Sequence, residues 1–133
     1  MAVSLHHFHI AAPADLLDQV KAFYEKLFDL QQGPRPAFAS RGFWLYSGDH
    51  ALLHLAVANE NACRQTTQST IDHIALRCDD MPAMQAKITA MQLPFQVFHV
   101  PPLPDDDPAL QQIQLFVTDP AGNNLELNFI VPR

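Results

Sequence analysis

One succession of elements can be read twice along this chain, and that repetition limits the fold more than any other feature. Residues 5–12 alternate and are rich in strand-forming types, so they read as a strand. Over 16–28, Leu16, Leu17, Val20, Phe23, Tyr24, Leu27 and Phe28 recur at three-to-four spacing, which is the stripe of an amphipathic helix. Asp15 stands before it as a candidate N-cap. A Gly/Pro loop at 31–36, a short strand at 37–41, and a hairpin of strands 42–46 and 51–57 complete the first unit. The polar stretch 58–70 has no apolar period and reads as a linker. The order then returns: strand 71–78, helix 83–91 with Pro82 in its first turn, strand 95–100, and a hairpin of 113–117 and 124–130. The loop after 100 is marked by Pro101, Pro102 and Pro104.

The prediction is therefore an α+β chain of two βαβββ modules, 5–57 and 71–130, inside one domain spanning 1–133. With 133 residues, 48% hydrophobic and 17% charged, the chain has the composition of a globular domain. A net charge of −6 with scattered Lys and Arg argues against nucleic acid or an anionic membrane as partner. No run of about 18 apolar residues is present to span a bilayer. The first residues lack a basic segment followed by an apolar one, so the expectation is a cytoplasmic protein with Cys63 and Cys78 as reduced thiols.

The two modules also repeat their chemistry. The segment beginning at His7 aligns with that beginning at His73, and the closing strand around His54 aligns with that around Glu126. Alternation places His54 opposite Leu53 and Leu55, and Glu126 opposite Leu125 and Leu127. If the leucines pack on a helix, the polar residues face the other side of each sheet. The same parity groups His7 with His9 and Ala11, and His73 with Ala75 and Arg77, while His6 falls on the helix side. Each module thus offers one metal-capable side chain on its first strand and one on its last. Three imidazoles and a carboxylate suit a borderline divalent ion such as Zn, Ni, Co, Mn or Fe, one per site.

His9, Arg77 and Gln114 are secondary candidates for contact with substrate, His9 also for orienting His7. Gln112 could reach the same face. Phe8, Phe23, Tyr24, Phe43, Trp44 and Phe116 read as core or dimer packing. Cys78 reads as inert core. Asp105, Asp106 and Asp107 are adjacent, without the spacing of a calcium loop, and read as a solvated run.

Three stretches resemble the vicinal oxygen chelate superfamily, which includes glyoxalases, bleomycin-resistance proteins and extradiol dioxygenases. They are residues 21–30, residues 72–76, and residues 119–127, where an Asp-Pro-x-Gly hairpin precedes a strand bearing Glu126. The resemblance covers nearly the whole chain and departs at Phe28-Asp29, where the family has Leu-Gly. It implies a glyoxalase-like fold with cup-shaped mixed sheets, a homodimer, and metal ligands at His7, His54, His73 and Glu126. It further implies an enzyme acting on a small oxygen-rich substrate, with Glu126 as the catalytic carboxylate. Lyase or isomerase chemistry is favoured over that of an Fe(II) extradiol-type dioxygenase, which would use His7, His73 and Glu126. A metal-free, drug-sequestering protein is the rival from outside enzymology.

Overall fold

In the computed structural model of the chain, residues 5–58, 71 and 73–133 are described. The chain divides into two compact units, Met1–Gln68 and Ser69–Arg133. The first contains β1 (Phe8–Ala12), α1 (Ala14–Phe28), β2 (Gln31–Gly33), β3 (Gly42–Ser47) and β4 (His50–Val57). The second contains β5 (Ile74–Arg77), α2 (Met81–Ala90), β6 (Gln96–His99), β7 (Leu110–Thr118) and β8 (Asn124–Pro132). Each is a βαβββ module with one mixed four-stranded sheet, ordered β1-β4-β3-β2 in the first and β5-β8-β7-β6 in the second. In both, the first strand pairs in parallel with the last, and the remaining pairs are antiparallel. The two-module α+β expectation holds. Apart from Ala58, the expected linker lies outside the described residues, as does Cys63.

In the first module α1 lies over β1, β3 and β4. Its buried residues Leu17, Val20, Phe23, Tyr24 and Leu27 follow the helical period and close on Ile10, Leu45, Leu53 and Leu55. Each fully buried leucine here contributes about 1.5–3 kcal/mol. Pro13 stands at the N-cap and no side chain caps the helix, so Asp15 sits in the first turn instead of capping it. At the other end Asp29 adopts φ 54°, the left-handed conformation that ends many helices. That is the place of the family's glycine, and aspartate is among the few other residues that tolerate it.

The third strand of this module is not at 37–41. It is β2, whose Gln31, Gln32 and Gly33 pair with Tyr46, Leu45 and Trp44. Three residues, two of them polar, carry no period; pairing with β3 makes them a strand.

In the second module Asp80 caps α2, its carboxylate accepting from the Ala83 amide at 3.0 Å. The Asp-Pro-x-Gly hairpin is built around Asp119, only 4% exposed. One of its oxygens accepts from the amides of Ala121 and Asn123, at 2.9 and 2.8 Å. The other accepts from the Asn123 side chain at 2.9 Å. Gly122 at φ 83° turns the chain, a conformation glycine takes without strain. This turn sets the register in which β7 meets β8, with Phe116 opposite Glu126. Among the described residues no helix is long and apolar enough to cross a membrane.

Candidate metal centre

In the first module β1 and β4 are registered so that His9 lies opposite His54, and β3 places Trp44 opposite His54 from the other side. Directly paired residues project to the same face of a sheet. Leu53 and Leu55 face α1 and the core, so His54 faces away from them, as alternation predicts. His7, just ahead of β1, stacks its ring on that of His54, with centroids 3.9 Å apart and 13° between planes. Trp44 is also stacked on His54, at 4.0 Å and 10°. His54 is only 9% exposed, and its Nε2 is buried without a hydrogen-bond partner. Burial pushes its imidazole below the ordinary histidine range. Neighbouring His7 adds to this, His9 and His6 add less, and a backbone contact at Ala51 opposes it. The neutral ring has a free lone pair, which is the form that ligates a cation.

The second module repeats this arrangement with other side chains. Ala75 lies opposite Glu126 from β5, and Phe116 from β7, in the places of His9 and Trp44. His73, just ahead of β5, brings Nε2 to 3.7 Å from Glu126 Oε1, as His7 meets His54. Glu126 is 8% exposed, on the face opposite Leu125 and Leu127. Its second oxygen accepts from the side-chain amide of Asn128, and Asn128 in turn accepts from Gln112. A hollow of about 510 Å³ opens beside His73, lined among others by Phe95, Gln96, Phe116 and Asn124.

The candidates for substrate contact fall on these faces. His9 is exposed beside His54, exposed Arg77 lies opposite Asn128 on β5, and half-buried Gln114 lies opposite it on β7. His6 departs from expectation. β1 starts at Phe8, so strand parity does not reach it; His6 is exposed, with Nδ1 at 2.8 Å from His7 Nδ1 and its ring against His50. Trp44 and Phe116 are not core residues: both are half-buried on the ligand-bearing faces. Asn128 was missed, although it lies two residues beyond Glu126 and alternation alone puts both on one face.

Among the described residues no three His, Cys, Asp or Glu side chains stand together as a group that could hold a metal ion. The ligand-type residues come as two pairs, His7 with His54 and His73 with Glu126. Each pair has donor chemistry that fits a divalent ion: the buried, unpartnered His54 nitrogen is costly unless something binds it, and His73 beside Glu126 joins an imidazole to a carboxylate.

No family model matches the chain, and no curated protein matches it in sequence. Solved structures do match along almost its whole length. A glyoxalase family protein from Bacillus anthracis is 19% identical, with 97% of this chain and 96% of that one covered, at a TM-score of 0.65. Lactoylglutathione lyase from Agrobacterium tumefaciens is 17% identical over 96% and 94%, at 0.62. A point mutant of the fosfomycin resistance protein FosX from Listeria monocytogenes, solved with Mn(II) and 1S,2S-dihydroxypropylphosphonic acid, is 14% identical over 97% and 93%, at 0.64. The fold is that of the vicinal oxygen chelate proteins.

Proposed function

We propose that the chain is a divalent-metal-dependent enzyme of the vicinal oxygen chelate type, acting on a small oxygen-rich molecule by lyase or isomerase chemistry. One observation carries this reading. Each module sets a ligand-type side chain just ahead of its first strand against another on its last strand, at equivalent register positions. Core packing has no need of that repetition. His7, His54, His73 and Glu126 would hold the ion, and the ion would supply Lewis-acid polarisation of two adjacent substrate oxygens.

The chain's own groups do the rest. Burial keeps His54 neutral and its Nε2 lone pair free. Glu126 would be a ligand and, where Oε1 is free of the ion, the base that takes a proton from the substrate carbon and returns it to the product. The hollow beside His73 receives the non-reacting part of the substrate between Phe95 and Phe116. The enzyme works as a cytoplasmic homodimer. Support for the reading comes also from neighbours of the same fold that are a lactoylglutathione lyase and a Mn(II)-bound resistance protein.

The test is a panel of 2-oxoaldehyde–thiol adducts, epoxides and catechols, assayed with Zn, Ni, Co, Mn or Fe(II) supplied in turn. Metal-dependent turnover of an adduct, lost in Glu126→Gln, supports the proposal, whereas turnover of epoxides alone would move the assignment to ring-opening chemistry. Turnover of catechols with Fe(II) alone would move the assignment to a dioxygenase. Tight binding of aromatic drugs without any metal would move it to sequestration.

A further inference from the structure

Glu126 stands at the end of a hydrogen-bond chain that no candidate role has used. Gln112 Nε2 donates to Asn128 Oδ1, and Asn128 Nδ2 donates to Glu126 Oε2. Asn128 is 9% exposed and Glu126 8%, so both ends of the second bond are shielded from water. The direction of the chain follows from the carboxylate. An ionised carboxylate only accepts, so Asn128 must turn its NH2 towards Glu126 and its carbonyl away. That carbonyl then needs a donor, and Gln112 supplies one from β7. Reversing the amide would set carbonyl oxygen against carboxylate oxygen inside a buried pair. The relay also reaches across strands, because the residue directly opposite Asn128 is Gln114, while Gln112 lies opposite Ile130.

Asn128 therefore occupies one of the two Glu126 oxygens. The other, Oε1, is the one that lies 3.7 Å from His73 Nε2. We infer that Asn128, braced by Gln112, is a positioning residue that makes Glu126 a one-oxygen ligand, presenting Oε1 alone to a divalent cation. This inference rests on the metal reading above. A carboxylate binding through one oxygen fills one coordination position, whereas the same group binding through two fills two. Holding Oε2 back thus keeps a position free for a substrate oxygen. Charge-assisted bonds of this kind are the strong ones, and partners of metal ligands are worth about 10–100-fold in metal affinity.

Co(II) is the probe, because its visible absorption weakens as coordination number rises, and calorimetry gives its affinity. In Asn128→Leu, Oε2 is released and Co(II) affinity is expected to fall about 10–100-fold, with weaker visible absorption at saturation than in the wild type. Gln112→Leu, which removes only the brace, is expected to move both readouts the same way by less. It alters a half-buried side chain, and it carries the test if Asn128→Leu fails to fold. Wild-type affinity and spectrum in folded Asn128→Leu, or in Gln112→Leu when that variant alone folds, would overturn the inference and leave the metal reading standing. A wild-type protein that binds no Co(II) would overturn both.

Discussion

Trp44 lies face to face with His54 across adjacent strands, its ring 4.0 Å from the imidazole and 10° from parallel. His7 covers the other face of the same imidazole at 3.9 Å. His54 is thereby held as the middle ring of three, and Trp44 is the chain's sole tryptophan. Its emission is an intrinsic reporter of that histidine. Titration with a divalent metal is expected to change Trp44 fluorescence in a saturable way, and His54→Ala is expected to abolish the change. Trp44→Ala, which removes a wall of the stack, is expected to weaken metal binding about 10–100-fold with the fold retained.

Glu126→Gln keeps size and an oxygen donor while removing charge and basicity. It is expected to fold normally, retain part of the metal, and lose most turnover on whichever substrate the panel yields. Thermal unfolding, elemental analysis and initial rates check the three parts. His54→Ala is expected to be milder, since His7, His73 and Glu126 remain as a two-His-one-carboxylate set.

His6 and His7 are neighbours with opposite expected fates. Both are exposed, but His7 stacks on His54, whereas His6 sets its ring edge-on against His50. His7→Ala is expected to strip the metal and His6→Ala to leave its content unchanged, both read by elemental analysis. The reverse result would reassign the first-module ligand to His6.

The Asp119 turn carries a prediction about stability. Asp119→Ala leaves the amides of Ala121 and Asn123 without the carboxylate that accepts from both. A loss of roughly 1–3 kcal/mol is expected in urea unfolding. The register of Phe116 against Glu126 depends on the same turn.

Cys78 gives a pH-dependent reading. Burial pushes its thiol up, and the Asp79 carboxylate adds to the effect. A raised thiol pKa means less thiolate at any given pH. In a Cys63→Ser background, alkylation of Cys78 by iodoacetamide is expected to be slow near pH 7–8 and to accelerate only above the ordinary thiol range. Rapid modification at pH 7 would contradict the burial argument.

Much of this arrangement was legible in the chain because alternation and helical spacing are local. The leucines flanking His54 and Glu126 announce which way those side chains face, and the α1 stripe announces its buried side. What failed to show depended on pairing between strands. β2 has no period of its own and exists through β3. Trp44 reads as core or dimer packing in the chain because its place opposite His54 is set by cross-strand register. The parity that puts His6 on the helix side ends where β1 begins, at Phe8. Pro13 occupies the N-cap that Asp15 was expected to fill. Asn128 shares its face with Glu126 by simple alternation, but its partner Gln112 is sixteen residues away in sequence.

Assembly is open to direct measurement. Light scattering at micromolar concentration is expected to give a dimer, and a monomer would contradict the homodimer. Mixing a His7→Ala chain with a Glu126→Ala chain then shows which chains build a site. Sites shared across chains return one intact centre in the heterodimer, and sites within one chain return none.

The most direct test of the central claim is the metal content of the protein purified without chelator. About one divalent ion per chain, held more weakly in every variant of His7, His54, His73 or Glu126 but to unequal degrees, is the expected result. Metal-free protein that also refuses Zn, Ni, Co, Mn and Fe(II) would contradict the enzyme assignment.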